Sequence, residues 1–386
     1  MIKFYKLQLT LFICFYFLSN TISAQTTVVD SMLFGGLQRS YRIYIPAMYK
    51  STKAVPLVLN LHGLGSNASQ QELYGDFRGI ADTANFIIVS PNGTLTVLGQ
   101  SWNNFVTPGI GVDDVGFLSA LIDKVSSKYS INKNRIYSTG MSNGGFMSYD
   151  LACFLNTRIA AIASVTGSMI DSHLKACKVN RPTPIMEIHG TTDNVVSYTG
   201  TGGILNSTQI DTLVNFWVKL NKCTAPVITQ LPNTSTTDGS TVEHQVFKNG
   251  KNGSSVELYK VIGGGHSWPG NTVVVSGSNQ DFNASKEIWR FFNQFSLDQV
   301  MTIDQQQAEE LSFELFPNPA NSDFEIRASK HVTYSVQLFN SMGQQLKEMK
   351  SENGISFISR GNLPSGMYIV QLNFDDQQMF KKMVFD

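Results

Sequence analysis

The chain has 386 residues, 42% of them hydrophobic and 25 of them phenylalanine, enough apolar material for a large core spread over two or three domains. Net charge is zero, only 15% of residues are charged and no basic run stands out, which argues against a nucleic-acid partner. Four cysteines with no C-x-x-C pair and no histidine cluster suggest no metal site, and nothing in the pattern calls for a cofactor.

Residues 1–24 read as a secretory signal, with an uncleaved anchor as the alternative. Lys3 and Lys6 supply the positive region, and Leu7–Leu18 is apolar but too short to span a bilayer comfortably. Ser23-Ala24 offers a small-residue cleavage point before Gln25. No other segment is long and apolar enough to be transmembrane, so the mature chain is expected to be exported and soluble. With Cys14 in the signal, Cys153, Cys177 and Cys223 remain, an odd set that leaves one thiol over.

In chain order, Thr26–Tyr49 reads as an opening antiparallel pair with Gly35-Gly36 between its runs. Val55–Leu61 is a buried strand ending at His62-Gly63-Leu64-Gly65. A helix is expected across Leu73, Phe77, Ile80 and Ala84, then a strand at Phe86–Val89 stopped by Pro91-Asn92-Gly93. Ser101-Trp102-Asn103-Asn104 lies in a long irregular stretch. Asp113-Asp114 reads as the cap of a helix striped by Leu118, Leu121, Ile122, Val125 and Tyr129. Strands follow at Arg135–Tyr137, Ile159–Val165, Pro184–Ile188 and Val256–Val261. Helices carry Met147, Leu151 and Phe154, then Ile210, Leu213, Val214 and Trp217, and last Ala284, Ile288, Phe291, Phe292 and Phe295. This alternation predicts an α/β fold with a mostly parallel sheet covered on both faces, and sites at the carboxyl ends of its strands.

The character changes after Phe295. Residues 298–310 are polar and glutamine-rich and read as a linker. From Leu311 the pattern is β only, with alternation at Tyr334, Val336 and Leu338 and again at Tyr368, Val370, Leu372 and Phe374. Turn residues at 340–343, 353–354, 364–366 and 375–376 divide it into the short strands of a small β-sandwich.

The stretch NRIYSTGMSNGGFMSY at 134–149 combines a strand, a sharp turn and a helix, with Ser142 at the apex of a G-x-S-x-G pattern. A serine on so tight a turn needs glycine neighbours, and the following helix N-terminus offers N–H groups to a developing negative charge. A serine hydroxyl is a poor nucleophile until an imidazole, oriented by a carboxylate, takes its proton. In α/β-hydrolases the chain order is serine, acid, histidine. Ser142, Asp193 and His266 follow that order, each on a loop after a predicted strand. His62 and His189 precede the glycines of post-strand turns, His173 and His244 lie in polar connections, and His331 is in the β tail. The N–H groups of Leu64 and Asn143 are the expected oxyanion donors. Trp102 and Trp268 offer flat faces to an acyl group or a sugar, with core packing the equal alternative. Cys153, on the helix behind Ser142, and Cys177, before the next strand, are the expected disulfide, leaving Cys223 free.

LHGLGSN at 61–67, SWNN at 101–104, DDVGFL at 113–118, GMSNGGFMSY at 140–149, IHGTTDNVVSY at 188–198 and GGGHSWPG at 263–270 occur in the order found in a known family. Residues 26–297 resemble the secreted polyhydroxybutyrate-depolymerase and feruloyl-esterase group, related to carbohydrate esterase family 1. The resemblance implies an α/β-hydrolase fold and a serine esterase with Ser142 as nucleophile, Asp193 as acid and His266 as base. Relatives often carry a cysteine where this chain has Lys251-Asn252-Gly253, which leaves no such partner for Cys223. FPNPA at 316–320, LPSGMYIVQL at 363–372 and the terminal KKMVFD resemble the C-terminal sorting domain of type IX secretion substrates. That resemblance implies export through the type IX secretion machinery, with a carbohydrate-binding or adhesive module as the alternative. The expected organisation is a signal at 1–24, an esterase domain at 25–297, a linker at 298–310 and a sorting domain at 311–386. A serine peptidase or acyltransferase of the same fold, or a non-catalytic surface-binding protein, are the other readings.

Overall fold

The computed structural model describes residues 25–105, 109–201, 207–298, 313–328, 334–340, 344–351, 355–374 and 377–386. The signal and nearly all of the linker lie outside these residues, as do His331 and several of the expected turn residues of the tail. The chain divides into two compact units, Met1–Val300 and Met301–Asp386.

In the first unit the elements run β1 (Thr26–Phe34), β2 (Leu37–Ile45), β3 (Val55–Leu61), α1 (Ala68–Tyr74), α2 (Arg78–Ala84), β4 (Ile87–Pro91), β5 (Thr94–Thr96) and β6 (Gly99–Ser101). They continue with α3 (Asp114–Lys128), β7 (Ile131–Met141), α4 (Asn143–Phe154), β8 (Ala161–Val165), α5 (Asp171–Ala176), β9 (Ile185–Gly190) and α6 (Ile210–Asn221). The unit closes with β10 (Val227–Gln230), β11 (Thr241–Phe247), β12 (Val256–Ile262) and α7 (Ala284–Phe292). A ten-stranded sheet has the order β1-β2-β4-β3-β7-β8-β9-β12-β11-β10. Strands β4, β3, β7, β8, β9 and β12 pair in parallel, and the outer strands on both sides are antiparallel.

Strands β3, β4 and β8 are mostly apolar runs because both sheet faces are covered. Alternation along β3 sends Leu57, Leu59 and Leu61 to one core with α3, α4 and α6, and Val58 to the other with α2 and α7. Ile288, Phe291 and Phe292 of α7 are fully buried, each contributing roughly 1.5–3 kcal/mol by leaving water.

Four local expectations change. The helix expected from Leu73 to Ala84 is two helices, because the chain turns at Gly75 and Asp76; a side chain at Gly75 would meet Gln71 and the Trp268 ring. The irregular stretch around residue 100 contains the β5–β6 hairpin. His173 lies within α5 and His244 on β11, neither in a polar connection. The hairpin β10–β11 adds an antiparallel edge that no strand expectation covered, since every residue of β10 is exposed and β11 mixes apolar with polar residues.

The second unit is all β: β13 (Phe313–Phe316), β14 (Phe324–Ala328), β15 (Tyr334–Asn340), β16 (Gln345–Ser351), β17 (Ile355–Ile358), β18 (Gly366–Phe374) and β19 (Gln377–Phe385). Two antiparallel sheets, β13-β14-β17 and β16-β15-β18-β19, share one apolar core that includes Phe324, Val336, Leu338, Val370 and Phe385.

Candidate active site

Strand β7 delivers Ser142 to the carboxyl end of the parallel strands. Ser142 has φ 53° and ψ −121°, and α4 starts at the next residue. The turn is possible because Gly140 and Gly144 lack side chains: a Cβ on Gly144 would lie 2.2 Å from the Leu61 carbonyl oxygen. The Ser142 N–H donates to the Val165 carbonyl at 2.8 Å, and the Ser142 carbonyl accepts from Phe146 at 3.0 Å. Asn143 is the first helical residue, so its N–H has no intrahelical acceptor. The Gly63-Leu64 turn lies alongside, with the Cβ position of Gly63 at 3.5 Å from that of Ser142.

Asp193 follows β9 and His266 follows the neighbouring strand β12. Thr192 ties the two loops together through its N–H and hydroxyl, both donating to the Gly264 carbonyl at 2.9 and 2.8 Å. Oδ1 of Asp193 accepts the N–H groups of Val195 and Val196 at 2.8 and 2.9 Å. Oδ2 lies 2.7 Å from Nδ1 of His266. A carboxylate only accepts, so this contact places the hydrogen on Nδ1 and leaves Nε2 unprotonated in the neutral ring. The Asp193 side chain is fully buried while that of His266 is 17% exposed, so the carboxylate lies behind the imidazole.

Ser142 and His266 both line one cavity of about 270 Å³. Its walls include Leu64, Tyr74, Met141, Trp268, Val273 and Val275. The loop after Gly270 therefore turns the apolar Val273 and Val275 to the site. Tyr74 and Met141 belong to no motif that would mark them in the sequence as site residues.

Of the two tryptophans expected at substrate, only Trp268 lines the cavity, anchored by its Nε1–H donating to Ser285 at 3.1 Å. Trp102 does not. It is 1% exposed, its Nε1–H donates to the His62 carbonyl at 2.9 Å, and its ring packs on the His62 ring. Trp102 is a strut beneath the site. Its N–H donates to Asn143 Oδ1 at 2.7 Å, and Asn104 Nδ2 donates to the Asn143 carbonyl at 2.8 Å, so the SWNN segment clamps the start of α4. His62 is buried and accepts from the Gly93 N–H at 2.9 Å; burial pushes its pKa down to about 4, which keeps it neutral.

Asp113 caps α3, accepting from Gly116 at 2.7 Å, whereas Asp114 is ion-paired with Arg39 at 2.7 Å with both side chains buried. Cys153 and Cys177 form a disulfide and Cys223 is a free thiol, pushed up to about 11 by burial. Cys177 closes α5 rather than immediately preceding a strand. Among the described residues no group of three or more His, Cys, Asp or Glu is arranged to hold a metal ion, and no helix is long and apolar enough to cross a membrane.

Residues 113–222, which include Ser142 and Asp193, match the Phospholipase/Carboxylesterase family. Residues 314–386 match the Secretion system C-terminal sorting domain, which marks the chain for export. The chain is 31% identical over 270 residues to feruloyl esterase B of Piromyces equi, covering 67% of this chain and 46% of that protein. It is 29% identical over 198 residues to the bifunctional acetylxylan esterase/xylanase XynS20E of Neocallimastix patriciarum, covering 49% of this chain and 28% of that protein. Feruloyl esterase D of Neurospora crassa is 28% identical over 273 residues, covering 68% of this chain and 83% of that protein. The chain thus spans less than half the length of the first two of these relatives.

Proposed function

We propose that this chain, with a carboxylesterase-family segment and a C-terminal sorting domain, is an exported serine esterase whose residues 25–297 hydrolyse carboxylic esters through Ser142, Asp193 and His266. One observation carries the reading: a serine on a strained elbow opens on the same cavity as a histidine hydrogen-bonded to a buried carboxylate. His266 Nε2 takes the Ser142 proton as Oγ attacks the ester carbonyl. The N–H groups of Leu64 and Asn143 receive the charge that forms on the carbonyl oxygen. His266 then returns the proton to the leaving alcohol, and water, activated by the same ring, releases the acyl group. Asp193 holds the ring in the tautomer this requires. Within this scheme 1–24 is a signal, 298–310 a linker and 311–386 the segment handed to the type IX machinery.

The acyl group is short or aromatic, as in feruloyl or acetyl esters of polysaccharides. The relatives named as feruloyl and acetylxylan esterases support this class, as do the aromatic rings of Trp268 and Tyr74 on the cavity wall. Hydroxyalkanoate esters are the second reading, favoured by the apolar Leu64, Val273 and Val275 at the cavity.

Ser142→Ala tests the core of the proposal. Hydrolysis of p-nitrophenyl acetate should fall by on the order of 10⁶-fold with the fold intact by circular dichroism. Activity near wild type would move the nucleophile elsewhere. A kcat/KM rising steadily from acetyl to palmitoyl esters would exclude the short-acyl assignment, and activity on solid polyhydroxybutyrate with none on feruloylated sugars would select the second reading.

A further inference from the structure

Glu187 and His189 sit on β9 with fully buried side chains, and ester hydrolysis as set out above gives neither a part. Taking two such groups out of water costs several kcal/mol each before their attraction offsets it, and an apolar pair often serves stability as well. Their bonds lead to Asp193. Nδ1 of His189 lies 2.9 Å from Glu187 Oε1, and Oε2 of Glu187 accepts the Tyr149 hydroxyl at 2.8 Å. Nε2 of His189 lies 2.8 Å from the Val196 carbonyl oxygen and 3.4 Å from Asp193 Oδ2. Val196 is the link, since its N–H donates to Asp193 Oδ1 while its carbonyl accepts from His189.

We propose that His189, held by Glu187, is a positioning residue for the Asp193–His266 pair. The proposal rests on the triad reading above. A carbonyl can only accept, so the His189 nitrogen facing Val196 carries a hydrogen. The other nitrogen faces a carboxylate, and a second proton there makes the ring an imidazolium between Glu187 and Asp193. Burial opposes that charge and also raises the Glu187 carboxyl, but the hydrogen bond to Glu187 and the charges of Glu187 and Asp193 raise the pKa of the ring. The remaining groups nearby belong to α4, α6, β11, β12 and the loop after β9. They are Tyr149 on Glu187; Tyr198, edge-on to His189 and bonded to Asp211; Lys260, above the Tyr198 ring and opposite His189 in register; and Glu243, whose charge reaches Tyr198.

Asp193 Oδ2 therefore faces two imidazoles. The buried cation draws on the same carboxylate oxygen that holds Nδ1 of His266, so it competes for the group that orients that ring. Glu187→Gln preserves the hydrogen-bonding shape and removes the charge that holds the second proton on His189. In that variant the acid limb of kcat/KM for p-nitrophenyl acetate should move up by about half to one pH unit with KM unchanged. His189→Gln should move the limb the same way and also lower kcat about tenfold, because the Val196 anchor is lost. In the unaltered protein, ¹⁵N NMR should show both His189 ring nitrogens protonated at pH 8. A neutral His189 ring in that spectrum, or an unmoved acid limb in an active Glu187→Gln enzyme, overturns the proposal. Ser142→Ala assayed alongside separates the two readings: if it stays active the triad itself fails, and if it is inactive while the limb stays put only the role of His189 fails.

Discussion

Ser142 carries strain of order 1–3 kcal/mol, because φ 53° with ψ −121° is a sparsely populated state for a residue with a side chain. It persists because its N–H is bonded to Val165 and because Gly144 lets α4 start against the end of β3. Gly144→Ala puts a methyl group 2.2 Å from the Leu61 carbonyl oxygen, a backbone atom that cannot swing away. The start of α4 must shift, and with it the Asn143 N–H. We expect kcat/KM for p-nitrophenyl acetate to fall by about 10²-fold with helical content retained, since a displacement near 1 Å is enough for that loss; unchanged kinetics would refute the close packing. The glycine spacing made this turn legible in the sequence, as did the chain order of Ser142, Asp193 and His266. The fate of Trp102 was not legible. Its burial depends on His62 and Asn143, which lie 40 and 41 residues away, and no local pattern reports such contacts. Val273 and Val275 were hidden in the opposite sense, because their Gly- and Asn-rich neighbours masked a short apolar run facing the cavity.

Helix α3 is tied to the site at its first residue. Asp114 Oδ1 accepts from Arg39 at 2.7 Å, and Oδ2 accepts from the Asn103 N–H at 2.8 Å. One carboxylate thus joins β2, α3 and the segment that clamps Asn143. Asp114→Ala leaves the Arg39 charge buried and unpaired, which should cost about 3–5 kcal/mol in denaturant unfolding. It also frees Asn103, so kcat should fall with the stability. The exposed Asp76–Arg78 pair is a control, because with both side chains about 40% exposed its removal should cost no more than ~1 kcal/mol. Similar losses for the two pairs would contradict this account. Composition presents Asp113-Asp114 as a cap, which holds for Asp113, while the partner of Asp114 is 75 residues away and invisible locally. Strands β3, β4 and β8 were legible as mostly apolar runs because both their faces are covered. The edge hairpin β10–β11 was not, because an edge strand needs no apolar face, and His244 spends its polarity on Glu257 across the strand pair at 2.8 Å.

The apolar cores respect the change in character read near residue 311. Two clusters, one on each face of the large sheet, take residues from Tyr41 to Phe295, and a third is built wholly from residues between Phe313 and Phe385. The last ties of the first unit come where the linker begins. The Leu297 N–H donates to the Asn134 carbonyl at 2.9 Å, and Asp298 Oδ2 accepts from the Asn134 side chain at 2.8 Å. A chain ending at Asp298 keeps those bonds, the buried face of α7 and every group assigned to ester hydrolysis. Its kcat/KM should lie within about twofold of the full chain and its Tm should be unchanged, because no core residue of the first unit is removed. Export should fail, since the truncation removes all of residues 314–386 that match the sorting domain. Fractionating cultures that express the two forms, with esterase activity as the readout, separates the possible outcomes. Active enzyme retained with the cells supports the division. Loss of activity together with a lowered Tm would mean that the catalytic unit needs the tail to fold. Active truncated enzyme in the medium would mean that export does not depend on it.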